Sequence, residues 1–414
     1  MMRITSLLFI ATLFISLSCD TTNSVDPVFE KQFIKYYGED GNQMGVDMVV
    51  NADGSMVLLG NTTLTSLVTF PFIVKIDPLG NVIWQRRMGG QDERAADVEL
   101  DRQGNLIVVS NIGDALNSRI RLFRIDQQGN GLDSLLIDMG EWQIAKSVTQ
   151  ASDNSFLIAG YAEAKVVRNP ELIIPPFDEA DIIVLQVDEA LLGASLFLGQ
   201  GGEHVGSAVK IFEALLGGDT KYLVFGDSDR PIDDITYKRA FEVISVNLDG
   251  VQGIRQVSSI DNEIQIAATT IETRGALQEG YLMVGTSYGV NNATSEVYIT
   301  QYDKDLTIKR LDKKLSGLQR RLEGVSAAVG DLDDFYIVAD EITANNKHDI
   351  VLLRMANDGV VLGLNVFGTL EGDDMAAAVS VLPDRRPALL GTIELETQRK
   401  MALMIISPEG KFSN

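Results

Sequence analysis

The chain has 414 residues, 45% of them hydrophobic and 22% charged, with a formal net charge of −23. So acidic a surface repels phosphate backbones and offers no counterion-release affinity, which argues against nucleic acid as a partner. The single cysteine, Cys19, excludes an internal disulfide framework, and two histidines leave little material for a histidine-based metal centre or acid–base pair.

Residues 1–18 read as a targeting segment: Arg3 supplies positive charge, 4–17 form an apolar, hydroxyl-rich run, and Ser18 precedes Cys19. A run of about 14 residues falls short of the roughly 20 that a transmembrane helix needs. The stretch Ile15-Ser16-Leu17-Ser18-Cys19 resembles a bacterial lipoprotein signal, although Ser16 stands where leucine is more usual. That resemblance implies cleavage before Cys19 and acyl chains on its thiol and new amino group. The alternative is a secretory signal whose cysteine is incidental. Residues 19–31 are polar, contain Pro27 and lack periodicity, as expected of a flexible tether between lipid and domain.

From 32 to 414 the chain repeats itself. Residues 51–90 give a turn at Asp53-Gly54, an apolar strand ending in Gly60, a variable loop, an alternating strand over 72–77, a turn over 78–81 and a strand over 82–88. The end of the second strand recurs seven times, 50 to 66 residues apart: Leu59-Gly60, Val109-Ser110, Ala159-Gly160, Phe225-Gly226, Val284-Gly285, Ala339-Asp340 and Leu390-Gly391. Each pair is followed by an alternating strand and a tight turn, as in FIVKIDPLGN at 72–81 and IRLFRIDQQGN at 120–130. Periods of this size with strand alternation predict propeller blades. Small residues mark the strand opening each unit, at Gly45, Ala95, Ala145, Ala208, Ala267, Ala327 and Ala376. They are expected to make room where the innermost strands converge on the axis.

The predicted fold is therefore all-β: one seven-bladed β-propeller of four-stranded antiparallel blades over 32–414. After the last turn only 411–414 remain, too few for an outer strand, while QFIKYY at 32–37 has no blade of its own. This N-terminal strand is expected to complete the seventh sheet and close the ring.

Residues 72–111, FIVKIDPLGNVIWQRRMGGQDERAADVELDRQGNLIVVSN, resemble the seven-bladed β-propeller repeat of bacterial surface and secreted proteins. Lys75, Asp77, Gly80, Trp84, Gly89-Gly90, Asp97, Asp101, Gly104 and Asn105 fall on its pattern. Later units depart from it: Trp84 has no counterpart after Gly193 or Gly250, and Gly226 is followed by an acidic insert. The resemblance implies a fold and an envelope address, not a reaction. With the signal, it implies an outer-membrane lipoprotein of Bacteroidota type, with the cell surface favoured over the periplasmic face.

Two sets of loops are expected on one face of such a ring, where sheets hold functional residues in place. Arg94, Trp142, Arg320 and Arg321 fall in these loops. The longest, 161–180, carries Arg168, Pro170 and the run Leu172-Ile173-Ile174-Pro175-Pro176-Phe177, too apolar for a solvated loop. It is read either as a partner-docking protrusion or as a cover for a neighbouring blade. The charged stretch 227–239, with Arg230 and Tyr237, is expected beside it as part of one interface.

Catalytic material is sparse. His204 adjoins Glu203 in a face loop and is read as a polar loop residue; His348 is read as an exposed turn residue before a strand. No Ser-x-x-Lys, His-Glu-x-x-His or Gly-x-Ser-x-Gly motif stands out. A retaining glycosidase needs two carboxylates about 5–5.5 Å apart, for which Asp92, Glu93, Glu203, Asp261, Glu263, Glu371, Asp373 and Asp374 are candidates. Among 58 acidic residues they read more simply as a solvated rim. Calcium at 331–334 or 371–374 lacks the ligand spacing of a helix-loop-helix site. No catalytic residue, metal or cofactor is expected beyond the acyl lipid on Cys19. The first reading is a non-catalytic, lipid-anchored scaffold or accessory subunit of an outer-membrane transport, secretion or assembly complex; the alternatives are a glycan-binding surface lipoprotein and a carbohydrate-active enzyme.

Overall fold

The computed structural model describes residues 32–65, 68–113, 117–139, 142–163, 180–199, 206–231, 237–258, 263–274, 279–289, 294–330, 334–396 and 398–412. Among these residues period-two alternation and Asp/Gly turns yield 28 strands, β1 (Phe33–Tyr37) followed by seven repeats. Blade one holds β2 (Asn42–Val50), β3 (Met56–Thr65), β4 (Val68–Ile76) and β5 (Val82–Arg87). Blade two holds β6 (Glu93–Leu100), β7 (Leu106–Ile112), β8 (Arg119–Ile125) and β9 (Gly131–Ile137). Blade three holds β10 (Gln143–Gln150), β11 (Phe156–Glu163), β12 (Ala180–Val187) and β13 (Ala194–Gly199). Blade four holds β14 (Gly206–Leu216), β15 (Asp219–Pro231), β16 (Tyr237–Asn247) and β17 (Gln252–Val257). Blade five holds β18 (Ile264–Thr273), β19 (Gly280–Tyr288), β20 (Ser295–Asp303) and β21 (Lys309–Lys314). Blade six holds β22 (Leu322–Val329), β23 (Asp334–Ile342), β24 (His348–Ala356) and β25 (Val361–Phe367). Blade seven holds β26 (Met375–Val381), β27 (Pro387–Leu395) and β28 (Gln398–Ile405), and takes β1 as its fourth strand.

The predicted closure is therefore present. β1 runs antiparallel to β28, with Phe33 opposite Ile405 and Tyr37 opposite Met401. The seam is sealed on its blade-one side as well: the Tyr37 hydroxyl donates to the Gly80 carbonyl at 2.9 Å, and the Lys400 ammonium to the Gln43 side-chain oxygen at 2.9 Å. The core lies between blades rather than at the centre. Tyr37, Met401 and Leu403 of the seventh sheet pack against Met56, Leu58 and Phe72 of the first, and comparable clusters repeat around the ring. Second and third strands are covered on both faces, so Leu58, Leu59, Ile73 and Val74 are all fully buried and the alternation predicted for the third strand gives way to a continuous buried run.

The turns share one chemistry. At 77–81, 101–105 and 126–130 the aspartate side chain accepts the amide hydrogens of the third and fifth residues at 2.7–2.9 Å, and the asparagine amide returns a bond to it. Glycine holds the fourth place because its φ is near +80° in all three turns.

The glycine marker lies mid-strand, not at a strand end. In every blade the inner strand carries a β-bulge, between Gly45 and Asp47, Ala95 and Asp97, Ala145 and Ser147, and so on to Ala376 and Ala378. The marker residue pairs with the residue just before that bulge. A β-carbon at Gly160, Gly226 or Gly285 would overlap the carbonyl oxygen of Ile144, Ser207 or Ile266. In blade six the equivalent residue is Ala339, paired with Gly324, so the predicted markers Asp340 and Ala327 are each out of place.

The small residues before the bulge serve a different purpose from the one predicted. A β-carbon at Gly45 would meet the Gly391 carbonyl of blade seven at 3.1 Å, and one at Gly324 would meet the Gly285 carbonyl of blade five at 2.5 Å. Close approach to the preceding blade, rather than crowding at the axis, demands the small side chain. The axis tolerates larger groups, since the bulge residues Val46, Lys146, Val209 and Val325 all line the channel.

A polar stitch accompanies this contact. The residue after the marker accepts the backbone N–H of the next blade's pre-bulge residue: Asn61 from Ala95, Asn111 from Ala145, Asp227 from Ala267, Thr286 from Gly324, Asp340 from Ala376 and Thr392 from Gly45, at 2.6–3.1 Å. Short acceptors fit; blade three has Tyr161 instead.

Candidate functional site at the axial channel

The seven inner strands surround a channel with a cavity of about 440 Å³, and blades one to five contribute charge to it through Asp47, Asp97, Glu99, Lys146, Lys210 and Glu272. Lys210 of β14 donates to Glu99 at 2.7 Å and reaches Asp97 at 3.4 Å, both on β6. Asp47 of β2 lies against Asp97, and the two carboxylates also accept the Val98 and Val148 amides at 3.2 and 2.8 Å. Burial, then the neighbouring Asp97 charge, pushes the Asp47 carboxyl well above the usual carboxylate range. Burial likewise raises Glu99, with Lys210 opposing. Burial alone would lower Lys210, but Asp97, Glu99 and Asp47 outweigh it and hold its ammonium above the ordinary lysine value. The cluster is a compensated internal ion group that ties blades one, two and four across the axis.

Where the channel opens toward the loop-bearing face, blades one to three form a second cavity of about 460 Å³. It is lined by Arg94, Lys146, Asn61 and Asn111 with small and aliphatic residues of β6 and β10 between them. Lys146 lies over the Tyr161 ring, 5.8 Å from its centroid, and Tyr161 in turn meets Trp142 edge-on at 5.5 Å. The deviant residue of blade three thus replaces a stitch by an aromatic shelf at the mouth. Lys146 is reached by solvent through the channel yet hemmed by protein, and desolvation lowers its pKa, with Asp227 opposing. Asp227, almost fully buried, is pushed up to about 7 by burial, with Arg239 pulling the other way.

The predicted residues are distributed unevenly over this geometry. Arg94 belongs to β6 rather than to a loop and lines the mouth, close to the Trp142–Tyr161 shelf by way of their common neighbour Lys146. Of the stretch 227–239, residues 227–231 and 237–239 are strand rather than loop: β15 and β16 run on, pairing Asp227 with Phe241, Asp229 with Arg239, Arg230 with Lys238 and Pro231 with Tyr237. Cys19, Arg168, Leu172, Ile173, Ile174, Pro175, Pro176, Phe177, Glu203, His204 and Asp261 lie outside the described residues, so the docking protrusion has no structural account.

Most face carboxylates are already engaged. Glu93 is fully buried, accepting from Arg121 at 3.0 Å, Ser110 at 2.5 Å and the Gly90 amide at 2.6 Å. Asp373 receives the His348 ring at 2.8 Å and Arg399 at 2.6 Å; these partners outweigh burial and hold its carboxyl below the ordinary range. His348 is accordingly the half-buried first residue of β24, not an exposed turn residue, because Asp373 holds both its ring and its amide. Asp374 is buried on Thr369 and the Glu394 amide, Glu263 binds Ser287 and Lys314, and Arg320 pairs with Glu341. Trp84 donates to the Gln127 carbonyl at 3.1 Å and packs between blades. Among the described residues no group of three or more His, Cys, Asp or Glu side chains is placed to hold a metal ion.

No protein family matches the sequence, and no curated protein matches it. Solved structures do. The Dos1 propeller is 10% identical over 92% of this chain and 97% of its own, with a TM-score of 0.50. The likeness is one of fold. The β-propeller domain of the Trilobed protease from Pyrococcus furiosus is 11% identical, with 91% and 100% of the two chains covered and a TM-score of 0.47, and a streptogramin B lyase structure is 8% identical, with 91% and 98% covered and a TM-score of 0.44.

Proposed function

We propose that the protein is a non-catalytic, lipid-anchored propeller, held at the outer membrane through Cys19 with the cell surface as the favoured side. It acts as a rigid interaction scaffold or accessory subunit of an envelope transport, secretion or assembly complex. The observation that carries this reading is the commitment of the face carboxylates. Glu93, Asp373 and Asp374, which a hydrolase of this shape would need free, are each taken up by two or more structural bonds. Departure from the repeat is concentrated in blades three and four, where the longest insert and the extended β15–β16 hairpin sit. A partner of this scaffold would be read there, by the segment 161–180 with Arg168, the Leu172 to Phe177 run and Arg230.

Crosslinking and pull-down from native membranes test the proposal, with Cys19→Ser releasing the protein from the membrane fraction as the control. Recovery of a membrane partner, weakened by deletion of 165–179, is the expected result; recovery of the protein alone refutes it. The Trp142–Tyr161 shelf favours glycan binding as the second reading, and polysaccharide binding abolished by Trp142→Ala would select it.

A further inference from the structure

The channel mouth differs from the rest of this acidic molecule in one respect. Among the described residues Arg94 and Lys146 are the only charged ones lining its 460 Å³ cavity, and no carboxylate is part of that lining. Within a chain of net charge −23, Lys210, which lines the axial channel with Lys146, is by contrast paired with Asp97 and Glu99. Among the described residues Arg94 has no hydrogen bond or ion pair, and Lys146 has no hydrogen bond or ion pair either, only its position over the Tyr161 ring and the more distant charge of Asp227, which lies outside the cavity. Two cations converging on one concave space without a counter-charge repel each other and gain from an anion placed between them.

The remaining lining defines the ligand further. Val46, Ala95, Ala96 and Ile144 make the walls mostly apolar, and Asn61 and Asn111 are already engaged in the inter-blade stitches through their side-chain oxygens. A volume of this size with apolar walls and a few placed polar groups fits a small molecule rather than a bare ion. Guanidinium and ammonium together suit an oxyanion, the fork taking two oxygens and the lysine acting as a point charge. We propose that the loop-face mouth of the channel binds a small organic oxyanion, with its carboxylate or phosphate head on Arg94 and Lys146 and its less polar body against the alanine and valine walls. This goes beyond the scaffold reading and does not depend on it, since the site needs neither the lipid anchor nor a protein partner.

Isothermal titration calorimetry on the full chain provides the test, with benzoate and phenyl phosphate as the two oxyanion probes and benzyl alcohol as the neutral control. Saturable binding of at least one anion and none of the alcohol is expected, and which anion binds assigns the head group. Lys146→Gln and Arg94→Gln should each weaken binding by about tenfold or more, while Lys146→Arg retains it. Thermal melting of each variant within about 2 °C of the parent establishes that the ring is intact. The proposal fails if benzyl alcohol binds as tightly as the anions, if neither anion saturates below about 10 mM, or if either glutamine variant binds like the parent.

Discussion

The Thr392 hydroxyl accepts the Gly45 amide hydrogen at 3.0 Å, a bond between residues 347 positions apart in the chain. It is the seventh-blade copy of a stitch that recurs around the ring, and it works beside the β1–β28 ladder. Thr392→Val keeps the shape and removes the acceptor, so a loss of about 1 kcal/mol is expected in denaturant unfolding. Removing residues 32–37 strips the fourth strand from blade seven and should cost several times more; unchanged thermal stability would show that the ring closes without it.

Gly160 tests the close approach of inner and second strands. Its missing β-carbon leaves room for the Ile144 carbonyl, so Gly160→Ala should destabilise the fold by about 3 kcal/mol through backbone displacement. Gly131→Ala, where nothing lies within 4 Å of the added carbon, serves as the comparison and should be neutral or slightly stabilising. Equal melting temperatures for the two variants would contradict the packing argument.

Asp227 gives the molecule a specific pH dependence. Its folded pKa of about 7 lies above the unfolded value, so the folded state holds a proton that the unfolded chain has lost. The stability this provides is complete below about pH 4 and is lost as pH rises toward 7. Asp340, raised by burial to about 6 despite its bond from Ala376, acts in the same direction over a narrower window. Asn61 and Asn111 fill the same stitch position in blades one and two, so Asp227→Asn retains the acceptor. It should flatten the stability profile between pH 4 and 7 and raise stability at pH 8 by at least about 1 kcal/mol. A variant less stable than the parent at pH 8 would show that the Arg239 pairing outweighs the burial cost.

Lys210 has the opposite role at the axis. Lys210→Gln leaves Asp47, Asp97 and Glu99 without their shared cation, a loss of about 3 kcal/mol at pH 8. Acidification should recover the difference, because Asp47 and Glu99, already raised by burial, then lose the cation that opposes the shift and take up protons on folding. Urea unfolding at pH 5 and pH 8 measures this; a deficit independent of pH would assign Lys210 a packing role only.

Seven units, their turns and the use of β1 to close the ring were legible because each rests on local chemistry: alternation, an Asp-x-x-Gly-Asn turn, a leftover strand. The purpose of the marker glycine was not, because what excludes a β-carbon at Gly160 or Gly226 is a carbonyl on another strand. The stitch did leave a signal, a short acceptor directly after the small residue in six units, which emerges only once units are aligned on the bulge. His348 was misplaced because Asp373, its partner, lies 25 residues away, beyond the whole of β25. The Asp47–Asp97–Glu99–Lys210 group had no linear signature, since the ring alone brings three blades to one point. Arg94 was singled out as a residue of the face loops, but its companion Lys146 was passed over because a lysine on an inner strand reads as an error of alternation until the bulge turns it into the channel.

The pairing of β1 with β28 also orders events in time. The first strand of the ring to leave the ribosome is joined to the last, so Phe33 meets Ile405 only after nearly the whole chain has been made. Until then six blades can form from contiguous sequence, while the seventh sheet lacks its outer strand and β1 remains unpaired, its Phe33, Lys35 and Tyr37 side chains without the cover they have in the closed ring. An open edge of this kind is a template for pairing with another chain. The interval between completion of blade six and arrival of residue 405 is when this protein is most exposed to exchanging its N-terminal strand with a second copy, and closure is the contact of highest sequence separation and slowest search.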